Sequence, residues 1–125
     1  MDGLKKCILI VEDSKLAQKM AVIAVESLGC EIYTADTGAE AITQFKMRKY
    51  DLIFMDLGLS DMDGYTVTET IRRLEEKRQT RTPIVALTAH TEDEFRQNAK
   101  KAGMDDFLSK PLTTDKAKAM FDKYI

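Results

Sequence analysis

The chain has 125 residues, of which 44% are hydrophobic and 32% charged, the make-up of one folded domain with its own core and not of a disordered segment. Nineteen basic residues against 21 acidic ones leave a net charge of -2, so no overall field favours nucleic acid or an anionic membrane. No run of 18 apolar residues and no secretory leader is present, and the expected compartment is the cytosol. Cys7 and Cys30 lack metal-type spacing, and each stands at the start of an apolar run. Two reduced, mostly buried thiols are expected, with a disulfide between neighbouring strand starts as the minor alternative.

Cys7-Ile8-Leu9-Ile10-Val11 is an uninterrupted apolar run, as in a strand covered on both faces, and it ends on Glu12-Asp13. Ser14 offers an N-cap for a helix closing at Leu28-Gly29. On that helix Ala17, Ala21, Ala24 and Leu28 form one stripe, and Leu16, Met20 and Ile23 form a second beside it. Together they span about 200° of arc, wider than a surface helix normally buries. Glu31 to Ala35 reads as a short strand, followed by a helix from about Thr37 to Lys49 with Ala41, Ile42 and Phe45 at core spacing. Leu52 to Met55 is another unbroken apolar run, and it delivers Asp56 to its carboxyl end before Leu57-Gly58 turns the chain. Asp63 can cap a helix from about Gly64 to Lys77, with Val67, Ile71 and Leu74 inward. The charge-dense stretch from Leu74 to Arg81 reads as a solvated helix end and loop. Pro83 to Leu87 is a buried strand ending on Thr88, and Glu92 to Ala102 a helix with Gly103 after it. Asp106 to Leu108 is a short strand leading to Ser109-Lys110-Pro111, and Thr113 or Thr114 caps the last helix.

Five strands alternating with five helices predict a single α/β domain over residues 1–125, a parallel five-stranded sheet between two helix layers. The flavodoxin-like strand order 2-1-3-4-5 places the ligand crevice between strands 1 and 3, at their carboxyl ends. Glu12, Asp13 and Asp56 then share one pocket, and Thr88 and Lys110 close its other side. Two unit charges 4 Å apart repel by about 4 kcal/mol at an effective dielectric near 20. Such a cluster either raises a pKa or binds a cation, and oxygen-only ligands suit Mg2+. Asp56 then serves as a nucleophile on phosphorus, with Mg2+ and the Lys110 ammonium neutralising the phosphoryl oxygens and Thr88 donating to one of them. Singly, each residue has a plainer reading as a helix-end acid, turn former or surface charge. Five of them at strand ends outweigh it.

Val11-Glu12-Asp13, Met55-Asp56, Met62-Asp63-Gly64, Leu87-Thr88-Ala89 and Lys110-Pro111 resemble, in order, spacing and strand context, the receiver domains of two-component response regulators. The resemblance covers essentially the whole chain. It implies phosphorylation of Asp56 by a phosphohistidine, Mg2+ on Asp13, Asp56 and the Gly58 backbone carbonyl, and Glu12 acting through water. It also makes Thr88 and Phe107 a switch pair, and in the family the Lys110-Pro111 bond is usually cis. Such a module catalyses its own modification and is not a turnover enzyme in the usual sense. Glu12-Asp13-Ser14 with Gln18 and Lys19, Thr82 to His90, and Gly103 to Leu112 look like receivers fused to hybrid sensor histidine kinases. The partners implied are a histidine kinase and a histidine phosphotransfer domain, with any tether to the inner membrane supplied by a parent kinase. The Leu16-Met20-Ile23 stripe, next to Pro111 and Leu112 at the rim, is the expected docking face; a helix sunk deeper in the core is the competing expectation.

Other readings fare worse. A calcium loop around Asp61-Met62-Asp63-Gly64 fails, because Leu59 stands where its first acid belongs and Thr70 where its last glutamate belongs. A phosphatase of the haloacid dehalogenase type wants a second aspartate two residues after its first-strand nucleophile, and Asp13 is followed by Ser14 and Lys15. An interaction module that never carries phosphate is the remaining alternative. His90, two after Thr88, reads as a surface histidine without catalytic duty; in the family that position and Gly58 tune phosphoryl lifetime.

Overall fold

The structure, a computed structural model, describes residues 5–89 and 93–125, with side chains described for 5–89 and 97–125. Along these residues run β1 (Cys7–Val11), α1 (Lys15–Glu26), β2 (Glu31–Ala35), α2 (Gly38–Met47) and β3 (Leu52–Asp56). They continue with α3 (Gly64–Arg78), β4 (Ile84–Thr88), α4 (Asp93–Ala102), β5 (Asp106–Ser109) and α5 (Thr114–Tyr124). All strand pairs are parallel, and the order is β2-β1-β3-β4-β5, as the alternation of elements predicts.

The unbroken apolar runs are explained by two covered faces. Along β1, β3 and β4, Leu9, Val11, Ile53, Met55, Ile84 and Ala86 pack with Ala41, Phe45, Val67 and Ile71 from α2 and α3. The alternate residues Ile8, Ile10, Leu52, Phe54, Val85 and Leu87 pack with Ala21, Ala24, Val25, Ala117 and Met120 from α1 and α5. Since successive side chains point to opposite faces, a strand with both faces dry must be apolar throughout. Ser14, Thr37, Asp63 and Thr113 cap their helices by accepting the backbone N–H of Ala17, Glu40, Thr66 and Lys116. Each such cap is worth about 1 kcal/mol.

Several expectations need correction. The second helix stops at Met47, before Lys49, because Arg48 turns extended and lays its guanidinium 4.0 Å above the Tyr33 ring. Cys7 and Cys30 are free, as expected, but half-buried where deeper burial was expected, and they pack into opposite layers. The fourth helix begins at Asp93 among the described residues, while Glu92 and His90 lie outside them. The stretch after Leu74 is not simply solvated, because Glu75 is buried. Arg72 donates to Glu75 Oε1 (2.6 Å), the carbonyls of Thr82 (2.8 Å) and Gly103 (2.9 Å), and Asp105 Oδ2 (2.9 Å). Glu75 Oε2 in turn accepts the Thr82 N–H at 2.6 Å. This network pins α3, the entry to β4 and the turn into β5, at the end of the sheet away from Asp56.

Gly64 is where α3 meets the exit of β3. Its N–H donates to the Leu57 carbonyl at 3.1 Å, and an added Cβ would lie 2.6 Å from the Asp56 carbonyl oxygen and 3.0 Å from Leu57 Cα. Both obstacles are backbone, so neither can swing away. Gly64→Ala should therefore displace the segment carrying Asp56, at an overpacking cost of about 1–3 kcal/mol, and lower the melting temperature by roughly 5 °C or more in thermal circular dichroism.

Candidate functional site

Strand register decides which side chains meet. Val11 pairs with Met55, so Glu12 stands level with Asp56 on the next strand. Thr88 pairs with Ser109, which puts Lys110 one residue further, at the end of β5. The outcome is a cavity of about 410 Å3 at the carboxyl edge, walled by Glu12, Asp13, Asp56, Gly58, Thr88 and Lys110, with Tyr65 and Ala89 beside them.

Glu12, Asp13 and Asp56 each present an oxygen within 4.8 Å of the other two. Asp56 is 3% exposed and Glu12 2%, so neither charge is screened by bulk water. Lys110 Nζ answers both, 3.0 Å from Glu12 Oε1 and 2.9 Å from Asp56 Oδ1. The Gly58 N–H donates to Asp56 Oδ1 at 3.1 Å, and the Ser14 N–H to Glu12 Oε2 at 3.1 Å. Burial pushes the Glu12 carboxyl above its ordinary pKa; the Ser14 N–H and Lys110 pull it back, and the Asp56 charge adds to the rise. Burial works to lower the Lys110 pKa, yet its hydrogen bonds to Asp56 and Glu12 and their charges hold it above the usual lysine value. The ammonium is thus a fixed cation.

An all-oxygen set of this kind fits a hard divalent ion. Two oxygens about 2.1 Å from one Mg2+ are at most about 4.2 Å apart, so separations up to 4.8 Å suit an ion that keeps water on some of its positions.

Not every expected residue gathers here. Phe107 is half-buried and lines a different cavity, of about 540 Å3, with Gln97, Lys100 and Met104. The Lys110-Pro111 bond is cis. Leu16, Met20 and Ile23 are 69%, 44% and 67% exposed, so that stripe is not sunk in the core; Val25, outside both expected stripes, is fully buried instead. Leu112 is only 6% exposed and packs in the α1–α5 layer, so it supports the rim from beneath and presents no docking surface, while Pro111 is exposed.

Three supporting residues escaped the sequence reading. Asp61 accepts the Gly38 and Ala39 N–H groups at 2.8 and 3.0 Å, binding the loop after β3 to the positive end of α2. The approach is close enough that a Cβ on Gly38 would lie 2.5 Å from Met62 Cγ. Gln18 Nε2 donates to the Glu12 carbonyl (3.0 Å) and to Asp36 Oδ1 (2.8 Å), joining the loops after β1 and β2. Tyr65 places a hydroxyl, closed off from water and without a hydrogen-bond partner, in a side chain that walls the cavity. Burying such a group unpaired costs about 1–3 kcal/mol. The sequence signals were an acid in a glycine-containing loop, a glutamine one turn into a helix, and an aromatic after Asp63-Gly64, none of which names its neighbour.

A family model described as the response regulator receiver domain matches residues 8–122. The chain belongs to this family. This receiver is 38% identical over 117 residues to the aerobic respiration control sensor protein ArcB of Escherichia coli strain K12, covering 94% of the chain and 15% of ArcB. It is 34% identical over 123 residues to hybrid signal transduction histidine kinase L of Dictyostelium discoideum, covering 94% of the chain and 7% of that protein. The chain therefore spans a small part of the curated relatives it matches, and hybrid histidine kinases are among them. Among solved structures, the chemotaxis protein CheY4 of Vibrio cholerae matches with a TM-score of 0.88 at 26% identity, over 97% of this chain and 99% of that one. A two-component response regulator from Clostridium difficile matches with a TM-score of 0.86 at 35% identity, over 96% and 95%.

The Asp61 contact of this receiver carries a pH dependence. The Gly38 N–H, foremost, holds the Asp61 carboxyl below its ordinary pKa against the opposing effect of burial, and the N–H groups of Ala39, Asp61 and Met62 lower it further. A depressed folded-state pKa gives stability that is whole above the unfolded value of about 3.9 and is lost as pH falls through the folded value. Asp61→Asn should lower the melting temperature at pH 7, and the gap from the unaltered receiver should close as melts are recorded below about pH 4.

Proposed function

We propose that this receiver accepts a phosphoryl group on Asp56 from a phosphohistidine, in a Mg2+-dependent reaction, and relays it or the resulting change of shape to a histidine-containing partner. The observation supporting this reading is the buried Asp56 carboxylate with Lys110 Nζ at 2.9 Å and two further carboxylates within 4.8 Å. An Asp56 oxygen attacks phosphorus as the P–N bond to the donor imidazole breaks, and the donor nitrogen leaves with the bonding pair. Asp13, Asp56 and the Gly58 carbonyl would hold Mg2+, with Glu12 acting through water; the ion supplies positive charge at the phosphoryl oxygens. Lys110, already held beside Asp56 by its two ion pairs, adds a charge that needs no reorganisation. Among the described residues, an added Cβ at Gly58 would meet only Asp56 Oδ1, at 4.0 Å, which leaves that side of the carboxylate open to an incoming imidazole or water.

Thr88 donates its hydroxyl to a phosphoryl oxygen. Ala86 faces the α2–α3 layer and Leu87 the α1–α5 layer, so alternation turns Thr88 toward the layer in which Phe107 also packs. A shift of Thr88 toward the phosphoryl group changes the space open to the Phe107 ring, and the balance between two arrangements of that face moves. Partner docking falls to Leu16, Met20 and Ile23 with Pro111. The stripe is continuous with the pocket, because Ser14 both caps α1 and lines the cavity. Its exposed apolar face suits the apolar side of a helix that carries the phosphohistidine. Among the described residues no helix is long and apolar enough to cross a membrane.

Incubation with Mg2+ and acetyl phosphate should add at most one acid-labile phosphate per chain, and none in Asp56→Asn or in excess chelator, as read by intact mass. Continuous consumption of the donor over many equivalents would instead mark a phosphatase. The paired change Leu16→Glu with Ile23→Glu should slow transfer from a phosphohistidine donor protein at least tenfold while labelling by acetyl phosphate and the melting temperature hold, since both side chains are largely exposed. Loss of the fold in that variant would instead assign the stripe to the core.

A further inference from the structure

Among the described residues, several polar groups that wall the Asp56 cavity satisfy one another, and one buried hydroxyl is left out. Glu12, Asp56 and Lys110 answer one another, and Ser14 and Gly58 supply backbone N–H groups to the two carboxylates. The Tyr65 hydroxyl has no hydrogen-bond partner, although its ring lines the same cavity and packs in the same apolar layer as Phe107. A buried hydroxyl without a partner weakens the state in which it is found, because it has given up water and received nothing. Water does not reach this oxygen, so a phosphoryl group in the cavity does not satisfy it by arriving; some protein oxygen has to move against it. Tyr65 stands in the first turn of α3, with Gly64 locked against the β3 backbone, so the backbone that carries the phenol is held in place. The end of β4, whose Thr88 and Ala89 line the same cavity, is the element with reason to move when Asp56 is loaded.

We infer that Tyr65 is a positioning residue for the loaded state: its hydroxyl, orphaned while Asp56 is free, donates a hydrogen bond to an oxygen at the end of β4 once Asp56 carries a phosphoryl group. This rests on the reading of Asp56 as the acceptor. The effect is to make the orphaned donor part of the drive toward the loaded arrangement, and it distinguishes tyrosine from phenylalanine at a position where bulk alone would fill the same space.

The test uses the whole chain and beryllofluoride with Mg2+ as the loading probe. Tyr65→Phe should leave the unloaded melting temperature unchanged or raised, shrink the rise in melting temperature on loading, and weaken apparent beryllofluoride affinity about two- to tenfold, the worth of one net hydrogen bond. Ultraviolet difference spectra should show a tyrosine perturbation on loading that Tyr65→Phe lacks. A variant that melts lower when unloaded, yet keeps the full loading increment and affinity, would show that the hydroxyl serves the resting state and overturn the inference. Should the unaltered receiver itself gain nothing from beryllofluoride, the Asp56 reading fails and this one with it; should both chains gain equally, only the role of Tyr65 falls.

Discussion

One ammonium group settles the upper edge of this sheet. Lys110 Nζ lies within 3.0 Å of carboxylate oxygens from two other strands, and those carboxylates belong to the least exposed acids in the pocket. A buried carboxylate without a partner costs several kcal/mol, and two side by side repel as well. The three strands contributing Glu12, Asp56 and Lys110 are not neighbours in sequence, so the pairing is sustained only by the strand order and register. The same charge that makes the acids tolerable also fixes where they stand, because both carboxylates are held against one ammonium.

Much of the architecture was legible because it is periodic or local. Continuous apolar runs such as Ile8 to Val11 and Leu52 to Met55 announce doubly covered strands, and Ser14, Asp63 and Thr113 sit where a cap accepts a nearby N–H. The acids at the ends of those runs could be gathered once a strand order was assumed. What stayed hidden depends on partners far away in the chain. Glu75 looks like one more charge in a solvated helix end, and only the Arg72 guanidinium and the Thr82 N–H make its burial possible. Leu112 reads as a rim residue until the α1–α5 layer closes over it. Asp61 finds the start of α2, more than twenty positions earlier, through a close approach that no local pattern encodes.

The relatives sharpen what kind of object this is. Their much greater length shows that sequences like this one also occur as one part of larger proteins, where a receiver must work beside other domains. The surface of α1 fits that setting. Its alanines at 21 and 24 go to the sheet, which leaves the larger Leu16, Met20 and Ile23 outward on a helix that starts beside the acidic cavity. Apolar side chains in that place gain nothing from water.

The Arg72 cluster has a mechanical consequence. Four hydrogen bonds radiate from one guanidinium to a helix, a strand entry and the turn into another strand, all at the edge remote from the acids. A planar fork satisfied in several directions resists shear in each of them, which a lysine in its place would not do. The end of the sheet remote from the acids is therefore riveted across three elements by a single side chain.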